Sequence, residues 1–252
     1  MVEKTCIDEF GQIITERSRN LYEIYENSGV LIFAMQDLFD KICEVENKDS
    51  NVKFQLKLSY YEIYNEVIHD LLTTNKQEMT DKPLTIHEGK SKEFYVKGAN
   101  EIKVSSIHEV LELISMGEQN RHYAETFLNH CSSRSHTMFR LSVDSYHRNE
   151  RAGTYTQTTS FLNFVDLAGS EKISNYFGGK LAGPKEFNTS TRLKEGLSIN
   201  KSLFNLTQVI HMLSQNKPHI PYRNSTLTKI LRSSLGGNSK TSIIICITPA
   251  SS

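Results

Sequence analysis

The chain has 252 residues, 38% of them hydrophobic and 23% charged, which is enough to bury the core of one large or two small domains. Lysine plus arginine and aspartate plus glutamate both number 29, so the formal charge is zero and no global basic field favours nucleic acid as a partner. The longest apolar runs, residues 30–35 and 243–247, are far too short to cross a bilayer, so we expect no membrane partner.

Cysteine usage and the first residues bear on the compartment. The 4 cysteines lie far apart, with neither a Cys-x-x-Cys pair nor the density of a disulfide-linked scaffold. The first five residues, Met-Val-Glu-Lys-Thr, contain no apolar core of a secretion signal. Free thiols in a reducing compartment, and hence a cytoplasmic location, are the expectation.

The first half of the chain predicts strands with one helix between them. Residues 1–28 stand apart because they are polar and have a helical spacing of their apolar positions. Residues 52–60 alternate between apolar and polar and predict a half-buried strand, and residues 139–143 repeat that pattern. Between them, Ser106 and Glu109 have the spacing of a capping box and predict a helix start.

The second half alternates buried strands with helices. The apolar runs 161–165 and 243–247 predict strands that are buried on both faces. Apolar residues at helical spacing predict one helix over 193–213, before Pro218, and another over 227–235, stopped by two glycines. Residues 73–82 and 173–191 predict loops. This order of elements favours a layered α/β domain.

A first candidate site follows the predicted strand 161–165, where Asp166 opens the sequence Asp-Leu-Ala-Gly-Ser-Glu. A carboxylate at a strand end can hold a water bound to Mg²⁺. Gly169 can bring its N–H to a terminal phosphate without an obstructing side chain. Alone, this pattern is also that of an ordinary strand followed by a turn, so both interpretations stay open.

A second candidate site is Asn-His-Cys-Ser-Ser-Arg-Ser-His at residues 129–136. Ser132 and Ser133 offer adjacent hydroxyls to a hard cation or to phosphate oxygens, and Arg134 can form a bidentate ion pair. A helix N-cap or a serine-rich turn accounts for any one of these serines equally well.

Together, the two motifs resemble switch I and switch II of the kinesin motor domain, about thirty residues apart and in the same order. Further segments are similar to the family's central strand, relay helix, tubulin-facing loop and helix, and approach to the last core strand: residues 59–72, 192–203, 219–228 and 234–241. The resemblance covers roughly residues 29–251, and residues 117–126 resemble the centromere-protein-E-like branch.

The resemblance implies a P-loop-NTPase-like α/β fold, with a mixed central sheet flanked by helices, and ATP-dependent movement along microtubules. ATP and Mg²⁺ would be the cofactors, and tubulin would be the partner. The location would be the microtubule cytoskeleton, including the spindle, and a dimer would form through segments outside these residues.

The resemblance also assigns roles to single residues. Ser132 and Ser133 would face Mg²⁺ and the γ-phosphate with Asn129 supporting them, and Ser133 and, through water, Asp166 would hold the metal. Gly169 would donate its N–H to the γ-phosphate. Arg134 and Glu171 would form the ion pair that latches the two switches around the attacking water. The following cations would meet the acidic tubulin surface, unless they simply form a solvated face: Lys217, His219, Arg223, Lys229 and Arg232.

The chain departs from the family at its start. It contains no Gly-x-x-x-x-Gly-Lys-Ser/Thr, the loop that wraps phosphates in backbone N–H groups. Lys4-Thr5 matches the end of that motif, but the preceding glycines are missing and Glu3 would place a negative charge where phosphate binds, which argues against a remnant of the loop. The three core strands that come before this loop also have no counterpart. We therefore expect an atypical segment at 1–28 and, at 29–252, a partial motor domain with its N-terminal strands missing.

Two consequences stay open at the level of sequence. The strand at 241–248 would lose its usual neighbours and lie exposed, unless it pairs directly with residues 159–166 or the N-terminal segment covers its exposed face. The loop 172–191 is about ten residues longer than is usual in the family. Three interpretations remain: an ATPase motor whose front end lies outside these residues, a non-catalytic tubulin-binding or regulatory module, and a truncated fragment without ATPase activity.

Overall fold

The computed structural model of the chain describes residues 5–7, 13–15, 29–75, 82–89, 93–128, 134–150, 153–169 and 201–246. The chain divides into two compact units. One consists of Met1–Lys57, Lys103–Glu112 and Leu141–Phe164, and the other of Leu58–Ile102, Leu113–Arg140 and Val165–Ser252. None of the helices among the described residues has the length and apolar character needed to span a membrane.

The described elements are nine strands, five α-helices and a short 3-10 helix, Tyr222–Asn224. The strands are β1 Thr5–Ile7, β2 Ile13–Thr15, β3 Val52–Tyr64, β4 Val67–Asp70, β5 Thr85–Glu88, β6 Phe94–Lys97, β7 Ile102–Val104, β8 His136–Asn149 and β9 Thr154–Asp166. The helices are α1 Val30–Lys48, α2 Ile107–Leu128, α3 at residues 201–214, α4 Thr226–Ile230 and α5 Arg232–Gly236.

The helix prediction for the first 28 residues is wrong where the structure describes them. Strands β1 and β2 pair antiparallel, with Thr5 opposite Thr15 and Ile7 opposite Ile13. Isoleucine and threonine are β-branched and favour extended backbone, which outweighs the weak helical spacing of the apolar positions.

The central sheet has the order β4-β3-β8-β9, and β7 also pairs with β3. β3 and β4 form a tight hairpin in which Tyr64 lies opposite Val67. The two turn residues, Asn65 and Glu66, both have positive φ, as a two-residue turn that matches the twist of the strands requires. A sheet flanked by α-helices confirms the layered α/β architecture.

Strand β3 changes character along its length. Its first residues are half-buried, as the alternation of 52–60 predicts, and from Leu58 to Tyr64 every residue is buried. β8 begins the same way: Phe139 and Leu141 are buried on the predicted face, and Val143 is half-buried. The sheet is therefore best covered where β3 ends and β8 begins.

Two segments predicted as strands buried on both faces are exposed or only half-buried, because each lacks a neighbouring strand on at least one side in the described part of the chain. Residues 161–165 do lie in a strand, β9, but Phe161 is 52% exposed and the next four residues are only half-buried. β9 is the last strand in the sheet order, and among the described residues no strand covers its outer edge. An edge strand lacks the neighbours that would bury it on both sides.

The predicted strand at 243–247 is absent over its described part, since residues 241–246 have no regular structure. The side chains of Ile243, Ile244 and Ile245 are 61%, 73% and 77% exposed. Pairing with residues 159–166 is therefore not formed there.

Helix ends follow the local sequence. α2 begins after Ser106, whose Oγ accepts the N–H of Glu109 at 3.3 Å, while the Glu109 carboxylate accepts the N–H of Ser105 at 2.6 Å. The predicted capping box is thus formed, except that the Glu109 carboxylate accepts the N–H of Ser105 instead of that of Ser106. α3 ends at Ser214, and the φ of 51° at Asn216 allows the N–H of Lys217 to reach Met212 O at 3.1 Å.

The third predicted helix is divided in two. α4 and α5 are separated by Leu231, which is buried, and the glycine stop is confirmed because α5 ends at Gly236. The buried core of this unit joins β3, β4, β8, α3 and α4, with partly buried residues of β5 and β6 packed against it. Its buried members are Tyr61, Ile63, Ile68, Met138, Leu206, Leu227, Ile230 and Leu231.

Candidate functional site

The turn after β9 is where the sequence predicts a nucleotide switch. β9 ends at Asp166 as predicted, and its carboxyl-bearing side chain is exposed. Gly169 is half-buried three residues later, and Arg134 is half-buried directly before β8. The other predicted nucleotide and catalytic residues lie outside the described residues: Asn129, Ser132, Ser133 and Glu171. The latch between Arg134 and Glu171 therefore stays a prediction.

A buried histidine holds this turn. His136, 3% exposed, accepts the backbone N–H of Ala168 at 2.9 Å through Nδ1. Its Nε2 lies 2.7 Å from the hydroxyl of Ser202 in α3. A backbone N–H can only donate, so Nδ1 is the acceptor nitrogen and the neutral ring carries its proton on Nε2. His136 thus connects the turn after β9 to α3.

Burial also fixes the charge of this residue. Removing the imidazole from water lowers the pKa of His136 to about 4, so the ring is neutral at physiological pH. His136 belongs to the predicted motif at residues 129–136, but sequence reasoning assigned no role to this residue. Its two partners lie 32 and 66 positions further along the chain, so spacing could not reveal them.

The C-terminal half of α2, which leads toward residues 129–133, is fixed to β3 by charged and polar contacts. Arg121 Nε lies 3.7 Å from Oε1 of Glu62, a carboxylate with no exposed surface, and Arg121 Nη1 lies 3.7 Å from Glu118. The Tyr60 hydroxyl donates to Glu118, and burial raises the pKa of Tyr60. Asn120 donates to Leu71 O at 2.8 Å. These contacts position the segment that precedes the predicted switch I.

The cations predicted to contact tubulin lie on the stretch from the end of α3 to α5. Lys217, His219 and Arg223 are exposed, and Lys229 on α4 is half-buried. Arg232 on α5 is also half-buried, because its guanidinium lies over two aromatic rings, 5.7 Å from the centre of Phe94 and 5.5 Å from that of Tyr222.

Two acidic residues that sequence reasoning did not single out shape this stretch. Glu88, at the end of β5, accepts a hydrogen bond from Arg223 Nη2 at 2.6 Å and lies 3.9 Å from Arg232 Nη1. Glu66, in the β3–β4 turn, accepts the N–H of Thr226 at 2.7 Å and so satisfies a free donor at the start of α4. Both partners are more than a hundred positions away, so local patterns gave no signal.

The described residues do not complete a site for a nucleoside triphosphate. Of the predicted ligands, they include only the exposed carboxylate of Asp166 and the N–H of Gly169. The sequence has no lysine-bearing phosphate loop to neutralise the phosphates. In the described part of the chain, no group of three or more His, Cys, Asp or Glu side chains is arranged to hold a metal ion.

Comparison with known proteins identifies the family. The family model for the kinesin motor domain matches residues 4–252. Kinesin-like protein KIN-7L of Oryza sativa subsp. japonica is 41% identical over 243 residues, 95% of this chain and 35% of that protein. The kinesin heavy chain of Doryteuthis pealeii is 43% identical over 96% of this chain and 23% of its own length. Human centromere-associated protein E is 41% identical over 96% of this chain and 8% of its own length.

The fold agrees with that match. A solved structure of a KIF14 dimer, in a two-heads-bound state with AMP-PNP and in complex with a microtubule, superposes with a TM-score of 0.70 at 38% identity. That superposition covers 85% of this chain and 57% of the KIF14 chain. The architecture is that of an α/β domain with a mixed sheet flanked by helices. This chain belongs to the kinesin motor domain family.

Two details of the comparison bear on the sequence predictions. The family match begins at residue 4 and so extends into the segment 1–28 that the sequence sets apart. The identities to a kinesin heavy chain, 43%, and to centromere-associated protein E, 41%, are too close to separate the branches, so the branch stays a prediction. The chain spans about a third or less of the length of these curated relatives.

Proposed function

We propose that this chain carries the microtubule-facing surface and the switch region of a kinesin motor, and that the complete protein moves along microtubules at the expense of ATP. The observation that carries the proposal is the kinesin motor match along residues 4–252 together with the exposed cations of residues 217–223. Tubulin is the partner, and the microtubule cytoskeleton is the location. Dimerisation, if the complete protein uses it, involves segments outside these residues.

The interaction surface consists of Lys217, His219, Arg223, Lys229 and Arg232. Support comes from their placement, since three of the five are exposed and all lie within residues 217–232, after α3. On a chain of zero formal charge, a local cluster of cations is what attracts an acidic partner. The solved KIF14 structure is in complex with a microtubule, which supports the same partner for this chain.

Binding to microtubules should depend on these cations and on salt. We expect Arg223→Ala/Lys229→Ala to weaken co-sedimentation with microtubules several-fold, because each lost cation removes a favourable contact with an acidic surface. The wild-type affinity should fall as salt rises, since exposed charges are screened beyond about 8 Å at physiological ionic strength.

The matched control is Lys41→Ala/Lys53→Ala, which removes two cations whose side chains are 75% and 63% exposed in the other compact unit. This control should pellet like the wild type. Equal pelleting of the wild type and the Arg223/Lys229 variant, or pelleting that salt does not change, would assign these cations to a solvated face and refute the proposal.

In a complete motor, the nucleotide-facing residues would be Asn129, Ser132, Ser133, Asp166 and Gly169, with Arg134 and Glu171 as the catalytic ion pair. Bound Mg²⁺ would supply charge neutralisation at the phosphates. This chain has no phosphate loop, so we expect it to bind ATP very weakly by itself. Titration with a fluorescent ATP analogue should show no saturation at submicromolar concentration, and a submicromolar dissociation constant would contradict this expectation.

A second candidate function, a non-catalytic tubulin-binding or regulatory module, is favoured by the missing phosphate loop alone. The two candidates differ in the sequence encoded upstream of Met1. An in-frame glycine-rich loop followed by Lys-Thr in the transcript would decide for the ATPase motor. Microtubule binding by a protein whose transcript encodes no such loop would decide for the module.

A further inference from the structure

The carboxylate of Glu88 lies between two of the cations assigned to the microtubule surface. Its Oε2 accepts a short hydrogen bond from Arg223 at 2.6 Å, and its Oε1 lies 3.9 Å from Arg232. Glu88 ends strand β5, and the hairpin of β5 and β6 packs with its apolar residues against the core beside α4. A negative charge is thus fixed inside a positively charged surface.

The two arginines differ in how firmly they are held. Arg232 lies over the rings of Phe94 and Tyr222, and its side chain is 35% exposed. The side chain of Arg223 is 71% exposed, and its guanidinium is within reach of a partner in solution. One carboxylate oxygen of Glu88 therefore lies near Arg232, which is packed in place. The other oxygen accepts a hydrogen bond from Arg223, which is open to solvent.

We propose that Glu88 sets the affinity of this surface for its acidic track by holding Arg223 in an internal ion pair that a tubulin carboxylate has to displace. This inference rests on the proposed function. An exposed ion pair contributes little to folding, so displacement is easy, but the pair still competes with the partner. Glu88 also lowers the local charge of the three groups from +2 to +1 and repels acidic groups that approach.

The test is microtubule co-sedimentation of the full chain with Glu88→Gln, which keeps the shape of the side chain and removes its charge. We expect about two- to five-fold tighter binding at low salt, the size of effect that an exposed ion pair produces. The gain should shrink as salt rises. In the Arg223→Ala background, Glu88→Gln should have much less effect, because the arginine that it releases is gone.

Two control variants separate the ion pair from general charge. Glu93→Gln removes the same charge from the same hairpin. The carboxylate of Glu93 lies beside Gly89, since a Cβ added to that glycine would be 2.6 Å from Glu93 Oε1. Glu93→Gln should tighten binding less than Glu88→Gln. Glu88→Asp keeps the charge and should bind like the wild type, so it controls for a change at this position that leaves the charge in place.

Each possible result of these experiments either supports or overturns the proposal for Glu88. Tighter binding by Glu88→Gln that is lost without Arg223 supports the proposal. An equal gain in Glu93→Gln, or an equal gain in Glu88→Asp, overturns it. If Arg223→Ala/Lys229→Ala weakens binding while Glu88→Gln leaves it unchanged, the role of Glu88 is refuted and the microtubule function stands. If no variant alters binding, both are refuted.

Discussion

At the scale of a single residue, His136 joins two segments that are far apart in the chain. The turn after β9 and Ser202 of α3 meet at opposite nitrogens of one buried ring. An imidazole suits this position because its neutral form accepts on one nitrogen and donates on the other. Serine or lysine cannot perform both tasks in the same geometry.

The pKa of His136 predicts a pH dependence of stability. Its pKa is lowered from 6.5 to about 4 in the folded chain because the ring is buried. Between these values the unfolded chain binds more protons, so the free energy of unfolding rises with pH. The contribution is fully present above about pH 6.5 and is lost as the pH falls to about 4, to a total of about 3 kcal/mol.

Urea unfolding of the wild type and of His136→Asn between pH 4 and pH 7.5 measures the contribution of His136 to the free energy of unfolding. Asparagine can still accept the Ala168 N–H but does not titrate, so the variant should be less stable at pH 7.5 and should lose less stability on acidification. His211→Asn, a change at an exposed histidine of α3, is the matched control and should keep the wild-type slope. A His136→Asn slope equal to that of the wild type would show that His136 does not carry this dependence.

At the scale of elements, α2 approaches β3 closely at a glycine. A Cβ added at Gly117 would lie 2.3 Å and 2.6 Å from two ring carbons of Tyr60, far inside van der Waals contact. Gly117 is part of the segment that suggested a branch of the family in the sequence, and the structure gives it a packing reason. The glycine lets α2 pack against β3 at this point.

Gly117→Ala therefore compares two opposing effects, the gain in helix propensity and the cost of the clash with Tyr60. Propensity alone would stabilise the helix by about 1 kcal/mol. The clash with the buried Tyr60 ring should cost more, so we expect a net loss of about 1–2 kcal/mol in the free energy of unfolding. In a Tyr60→Ala background the clash is removed, and the same substitution should become neutral or stabilising.

Ser115→Ala, at an exposed position of the same helix, is the control for propensity and should stabilise the chain slightly. If Gly117→Ala stabilises the chain as much as Ser115→Ala does, the close approach of α2 to Tyr60 is not rigid.

Local patterns predicted the elements that depend on local chemistry. The alternation at 52–60, the start of α2 near Ser106 and the glycine stop of α5 all follow from side-chain period or backbone preference. The contacts that build the site were not predictable in this way. His136 with Ser202, Glu88 with Arg223 and Glu66 with Thr226 each join residues 66 to 160 positions apart, and only the packed sheet brings them together.

At the scale of the whole molecule, two of the wrong predictions concern the edge of the sheet. Apolar composition at 161–165 and 243–247 indicates strands that would be covered on both faces, but it cannot indicate whether covering strands exist. The described sheet ends at β9, and residues 241–246 have no strand neighbours. The same apolar residues that would stabilise an interior strand are therefore exposed to solvent.

The exposed segment at Ile243, Ile244 and Ile245 should make the 252-residue chain prone to self-association. Substituting all three by serine should lower aggregation, measured by light scattering during incubation, because it removes contiguous apolar surface. The free energy of unfolding should change by less than about 0.5 kcal/mol, since surface substitutions away from packed contacts have small effects. Substitution of all three by valine keeps the apolar surface and should leave aggregation unchanged.

Hydrogen exchange of the wild-type chain provides the independent test of the same expectation. The amides of residues 243–246 have no strand partners and should exchange at nearly the rate of an unfolded chain, whereas those of 54–58, in the middle of the sheet order, should be protected. Equal protection of the two segments in a soluble monomer would mean that residues 243–246 pair in solution. In that case the serine variant should also be clearly destabilised, so the two measurements must agree.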